Sequence, residues 1–239
     1  MNLQDQVAVV TGGAKGLGRE LARQLAAKGA RVMIGDRDWV ALAQTASEFG
    51  VVGFTGDVTD EKQVEALAQE AMAKWGRIDL WINNAGVWLP PQPLEETDLA
   101  KARQLFDINV FGAVHGARAA LRQMRIQERG TIVNIVSTTA FDGMRGASGA
   151  IYVASKYALR GFTNTLRDDL RDSSIKIIGV YPGGIKTELF TEAKPEKLDQ
   201  FMAAGDVAEK IISNLELPEP LGQLILKRPG QTISPELAD

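Results

Sequence analysis

Val7-Ala8-Val9-Val10-Thr11-Gly12-Gly13-Ala14-Lys15-Gly16-Leu17-Gly18 is the stretch on which the reading of the fold turns. Its first four residues form an unbroken apolar run, the pattern of a strand buried on both faces of a parallel sheet. A glycine-rich turn follows, then a helical stretch to about Lys28 with Leu21, Leu25 and Ala26 on one side. Gly29 closes that helix, and a second strand over 31–34 ends at Gly35-Asp36. Similar units continue outward, with strands predicted at 51–56, 78–82, 131–137, 175–181 and 222–227. Helices are predicted at 38–49, 60–75, 98–127 and 152–171. Strands alternating with helices imply an α/β fold with a parallel, doubly wound sheet. No linker, repeat or low-complexity tract interrupts it, so one domain is expected over 1–239. The least regular stretch, 184–205, contains Pro195 and mixed charge, and reads as helical insertions or a mobile lid over a substrate.

Gly12, Gly16 and Gly18 fall where the first strand enters its helix. Glycines let the backbone approach a pyrophosphate, and a helix N-terminus offers unpaired N–H groups and partial positive charge. The turn is not a P-loop, because Arg19-Glu20 stand where Lys and Ser/Thr are required. Asp36, 18 residues beyond Gly18, is placed to accept adenosine ribose hydroxyls. Its carboxylate would repel a 2′-phosphate, which favours NAD. Lys15 and Arg37 pull toward NADP, or are ordinary surface charge. Asp57, followed by Val58, ends the third strand; it either accepts from an adenine amino group or belongs to a helix N-cap region ahead of Glu61.

Composition narrows the chemistry. The chain has 239 residues and no cysteine, which excludes disulfides, thiolate catalysis and zinc–thiolate sites. A net charge of −3 leaves no broad footprint for nucleic acid or an anionic membrane. No apolar run approaches bilayer length, and the start of the chain lacks the pattern of a signal peptide, so a cytoplasmic enzyme is expected. His115, the only histidine, precedes every strand-end serine, and no G-x-S-x-G exists; a hydrolase triad is excluded. No metal site is expected.

Tyr152 and Lys156 lie four positions apart, one above the other on a helix face. A free phenol is a poor base at neutral pH, and an adjacent ammonium in a dry cleft has the sign needed to lower its pKa. With Thr11 to Gly18, Asn83-Asn84-Ala85-Gly86, Asn109, Ser137, Pro182-Gly183 and Thr187 in the same order, the chain resembles the short-chain dehydrogenases/reductases (SDRs) over nearly its whole length. The resemblance implies a Rossmann-type sheet of about seven strands in the order 3-2-1-4-5-6-7, and NAD(P)-dependent interconversion of alcohols and carbonyls. It implies that Tyr152 is the general acid/base, that Lys156 lowers its pKa and holds ribose hydroxyls, and that Ser137 binds the reacting oxygen. Asn109 would interrupt its helix and hold a water that relays protons from Lys156. The dinucleotide would be held by Gly12, Lys15, Gly16, Leu17, Gly18, Asp36, Arg37, Asp57, Val58, Asn83, Asn84, Ala85 and Gly86. Tyr152, Lys156, Pro182, Gly183, Ile185 and Thr187 would complete its site.

Two departures from the family pattern stand out. Ser137 and Tyr152 are fifteen residues apart rather than about a dozen, so the loop between them is expanded. The chain end, Arg228-Pro229-Gly230 and a polar tail, lacks the extended strand of tetrameric members, so a homodimer through helices 98–127 and 152–171 is expected. Trp88, Leu89, Phe141, Met144 and Phe190 are expected to line an apolar pocket for a small-molecule alcohol or carbonyl. The alternative is a silent NAD(P)-binding sensor or scaffold.

Overall fold

The computed structural model describes residues 2–141, 149–190, 198–228 and 230–231. The apolar runs become β1 (Val7–Thr11), β2 (Arg31–Asp36), β3 (Val52–Thr55), β4 (Leu80–Asn83), β5 (Gly130–Ile135) and β6 (Ile175–Pro182). Two short strands, β7 (Ile185–Lys186) and β8 (Met202–Ala203), pair with each other in a separate parallel ribbon, before β9 (Gln223–Leu226). The main sheet has seven strands in the order β3-β2-β1-β4-β5-β6-β9, with every pair parallel. The expected order is therefore observed, the seventh main strand being β9.

Alternation along each strand feeds two cores. Ala8 and Val10 pack with α1 (Gly16–Ala27), α2 (Trp39–Phe49) and α7 (Ala204–Glu216) on one face. Val9, Met33 and Trp81 pack with α3 (Glu61–Trp75), α5 (Gly112–Gln127) and α6 (Ala150–Asp169) on the other. Helix α7 has no counterpart in the elements expected from sequence, yet Val207, Ala208, Ile211, Ile212 and Leu215 are buried at helical spacing. Those residues seat it against α1 and close the first core.

The long helix expected at 98–127 is broken in register. Helix α4 (Leu99–Phe106) runs into a π-helical turn, Asp107–Phe111, before α5 begins. The extra residue in that turn lets Asn109 point away from the helical ladder. Its Oδ1 accepts from the Val87 N–H at 2.8 Å, and its Nδ2 donates to the Val87 carbonyl at 3.0 Å.

Beneath the strand ends runs a buried polar ladder. Trp81 Nε1 donates to Asn83 Oδ1 at 2.7 Å, Asn83 Nδ2 to Asn134 Oδ1 at 2.9 Å, and Asn134 Nδ2 to Thr163 Oγ1 at 3.0 Å. Any broken link leaves an unpaired group in the core, at a cost of about 1–3 kcal/mol. The expectation that Asn83 touches a dinucleotide is corrected accordingly: its amide is spent on Trp81, Asn134 and the Ala113 carbonyl.

Candidate active site

In a parallel sheet with helices on both faces, the strand ends where the order reverses leave a crevice. Here a cleft of about 1030 Å³ runs along those ends. It extends from Asp36 and Arg37 past Gly12, Gly16 and Leu17 to Ser137, Tyr152 and Lys156, and on to Trp88, Phe190 and Phe201.

Helices α2, α3 and α4 are capped by Asp38, Asp60 and Asp98, but α1 is not: Lys15 at its N-cap makes no capping bond. Its first N–H groups therefore keep no side-chain acceptor at the mouth of the cleft. The turn above them has no room for side chains. Gly12 has φ +63°, and a Cβ there would stand 2.8 Å from Ala85 Cα. A Cβ at Gly18 would run into the Gly12 carbonyl oxygen and lie 2.5 Å from Asn84 Nδ2. Asn84 holds this arrangement, donating to the Thr11 and Gly12 carbonyls at 3.0 and 2.9 Å. Gly18 and Asn84 thus shape the cradle, although Gly18 does not itself line the cleft.

At the far end Asp36 is locked, its two oxygens accepting from the Ala14 and Asp38 N–H groups at 3.1 and 3.0 Å. Lys15 pairs with Asp38 at 2.6 Å instead of reaching over Asp36. That hydrogen bond raises the Lys15 pKa and lowers that of Asp38. Asp57 lines the cleft and does not cap α3; one of its oxygens is taken by Thr59, and Asp60 is the cap. Val58 lines the wall beside it, its carbonyl 2.9 Å from His115 Nδ1. These features fit a dinucleotide: an uncapped helix start, a cradle a Cβ would fill, and a fixed carboxylate one strand away.

The reacting end is built by β5 and α6. Ser137 Oγ accepts from the Thr139 N–H at 3.1 Å and the Thr139 hydroxyl at 2.9 Å. Ser137 and Tyr152 line the same cleft, and the Ser137 hydroxyl acts to lower the Tyr152 pKa. Lys156 Nζ lies 5.8 Å from the Tyr152 ring centre and donates to the Ile135 carbonyl at 3.2 Å. Both side chains are buried, and burial dominates their ionisation. It pushes the Tyr152 phenol up to about 12, against the lowering by Ser137, and Lys156 down to about 8. The expected lowering of the phenol pKa by Lys156 is therefore corrected: in this dry site each group is driven toward its neutral form. Asn109 supports the same corner by donating to Ser155 Oγ at 3.2 Å on α6.

The apolar end differs in part from expectation. Trp88, Leu89 and Phe190 line it, Trp88 meeting Phe190 edge-on with ring centres 5.2 Å apart. Phe201, brought in by the β7–β8 ribbon, packs on Phe190 at 5.5 Å and was not foreseen. Its only signal in the sequence is aromatic character inside an irregular stretch. Phe141 is not in the pocket: it is 1% exposed, packed on Tyr181 and beneath the Arg160 guanidinium. Met144 lies outside the described residues. Pro182, Gly183, Ile185 and Thr187 line the cleft as expected, and the Thr187 methyl comes within 3.0 Å of where a Gly16 Cβ would stand.

Fold and site together define an oxidoreductase that uses a nicotinamide dinucleotide. The chain belongs to the short chain dehydrogenase family, whose model matches residues 6–198. It is similar to a diacetyl reductase [(S)-acetoin forming] of Staphylococcus epidermidis, 34% identical over 89% of this chain and 84% of that one. It also resembles the crystal structure of a 3-ketoacyl-(acyl-carrier-protein) reductase from Brucella melitensis complexed with NADH. That match has 26% identity and a TM-score of 0.89, covering 97% of this chain and 100% of that chain. An alcohol dehydrogenase from the archaeon Thermococcus sibiricus complexed with 5-hydroxy-NADP is similar with 26% identity and a TM-score of 0.84, over 96% and 99% of the two chains. The protein is an NAD(P)-dependent enzyme that interconverts alcohols and carbonyls, not a silent binder. Among the described residues no helix is long and apolar enough to cross a membrane.

Proposed function

We propose that Tyr152 moves the substrate proton, Ser137 holds the reacting oxygen, and Lys156 and Asn109 set the electrostatics and position of that pair. The observation that carries this is the meeting of Ser137, Tyr152 and Lys156 in one cleft, all three buried and with Lys156 Nζ 5.8 Å from the Tyr152 ring centre. The dinucleotide, when bound, supplies or accepts the hydride. Tyr152 gives its proton to a carbonyl oxygen in reduction and takes one from an alcohol in oxidation. Ser137 donates to that oxygen as charge develops on it. Thr139 is the positioning residue behind Ser137. Thr139→Val should lower kcat about 3–10-fold with little change in KM, the effect of one lost hydrogen bond. Unchanged steady-state kinetics would remove Thr139 from the site.

NAD is the preferred cofactor. Asp36 is fixed by two backbone N–H groups, and Lys15 is neutralised by Asp38, which leaves exposed Arg37 alone to attract a 2′-phosphate. Asp36→Ala should weaken NADH binding about 10–100-fold, the worth of hydrogen bonds to a carboxylate, while improving NADPH binding. Equal losses for both cofactors, measured by nucleotide titration, would contradict the assignment.

The substrate is a small molecule with an apolar portion that packs on Trp88, Leu89 and Phe190, beside the β7–β8 ribbon; the middle of segment 184–205, residues 191–197, lies outside the described residues. We place the enzyme in the cytoplasm as a homodimer. Phe111 at the end of the π-turn is 52% exposed and Tyr157 on α6 37% exposed, which supplies apolar surface on the two helices expected at the interface. Light scattering should give the mass of two chains, and Phe111→Asp should shift it to one; a stable monomer or tetramer would overturn the dimer.

A further inference from the structure

Arg228 follows β9 and lines the same cleft as Ser137 and Tyr152. Hydrogen bonds hold its backbone in place. The Arg228 N–H donates to Gln231 Oε1 at 3.1 Å, and the Gln231 N–H donates back to the Arg228 carbonyl at 3.1 Å. Gln231 Nε2 donates to Thr138 Oγ1 at 2.8 Å, next to Ser137 in the chain. Just before the turn, the Leu226 carbonyl accepts from the Gly183 N–H at 2.8 Å. The turn is thereby tied to the ends of β5 and β6, where the chemistry takes place. The guanidinium lies with its central carbon 5.3 Å from the Phe201 ring centre, among the aromatic residues of the apolar end. Among the described residues, its buried Nη1 has no hydrogen-bond partner.

A buried, unpaired donor on an always-charged group is costly, and native structures keep such a group where a ligand completes it. A guanidinium is matched in geometry and charge by a carboxylate, which it binds through two parallel N–H···O bonds. We propose that Arg228 is an anion anchor in the substrate half of the cleft, and that the substrate is an apolar hydroxy or oxo acid whose carboxylate it holds. The aromatic wall of Trp88, Phe190 and Phe201 takes the apolar body. Its identification as the substrate rests on the alcohol–carbonyl chemistry proposed above; the anion site itself does not.

Calorimetric titration of the NADH-loaded protein with 4-phenylbutanoate and with 4-phenylbutanamide tests the site without turnover. The carboxylate should bind wild type about 10-fold or more tighter than the amide, as a charge-assisted pair requires. Arg228→Met should erase that difference, and Arg228→Lys should restore part of it. Equal affinity of the two ligands for wild type would overturn the proposal. So would a Met variant that keeps the preference, or one that loses NADH affinity instead, since the arginine would then serve the cofactor. Reduction of 4-oxo-4-phenylbutanoate and its methyl ester, followed through NADH absorbance, separates the two readings. Turnover with no preference for the acid sinks the anchor and leaves the oxidoreductase chemistry standing. Selective binding of 4-phenylbutanoate in a protein that reduces no carbonyl does the reverse.

Discussion

Tyr152→Phe should reduce turnover about 10³-fold or more while leaving NADH affinity within about twofold, as expected when a general acid/base is removed and little else. Phenylalanine keeps the ring against Trp88 and Leu105, so the apolar packing of this corner survives. What is lost is the phenol hydroxyl, the proton carrier. Residual activity above about one tenth of wild type, measured by cofactor absorbance, would show that another group moves the proton. The ionisation of the site adds a directional expectation. With the phenol pushed up to about 12, reduction has its proton donor in place throughout the neutral range. Oxidation needs a pair that has given up one proton, whether drawn as phenol and amine or as phenolate and ammonium. That proton is lost near Lys156's value of about 8, so the oxidation rate should climb as pH rises through 8 while reduction does not. A reduction rate that climbs in the same range, or an oxidation rate that is flat, contradicts this order of events.

Lys156→Met should cost activity and yet stabilise the fold. Without the cation, transfer of charge to Tyr152 is unsupported, and kcat should fall about 10²-fold or more. Loss of the charged donor should also weaken NADH binding about 10-fold or more. The stability effect has the opposite sign. Lys156 is held in a dry site with its pKa lowered to about 8, so keeping it charged at pH 7 costs about 3 kcal/mol. The bond to the Ile135 carbonyl returns about 1 kcal/mol of that, leaving the methionine variant more stable by about 1–2 kcal/mol. Between pH 8 and the ordinary lysine range, the unfolded chain binds this proton and the folded chain does not, so wild-type stability rises with pH. The advantage of Lys156→Met should therefore shrink in that interval. Denaturant unfolding at pH 7 and pH 9.5 checks it; a variant less stable at both values would mean that the ammonium is stabilised by partners rather than penalised by burial.

Much of this architecture is legible in the order of residues because it is local. Val7–Val10 is apolar and all of β1 is buried since both its faces are covered, and the same logic marks β4, β5 and β6. The glycine turn announces itself because a Cβ at Gly12 or Gly18 has no room. Helix α7 was legible but missed, its apolar spacing lying just beyond a stretch read as irregular. The roles of Asn83 and Phe141 were not legible. Each sits in a motif or loop beside the cleft, and only the direction of its side chain, settled by Asn134 in one case and Tyr181 in the other, places it in the core.

The divide follows from the range of the interactions. Strand and helix identity, the glycine turn and the Tyr152–Lys156 spacing depend on neighbours within a few residues, so the chain's own order sets them. Ionisation at the site depends on how thoroughly water is excluded by segments far apart in sequence. The same is true of Phe201, carried in by the β7–β8 ribbon, and of Arg228, whose turn is tied to Thr138 by Gln231. Those contacts exist only once β5, β6 and β9 lie side by side.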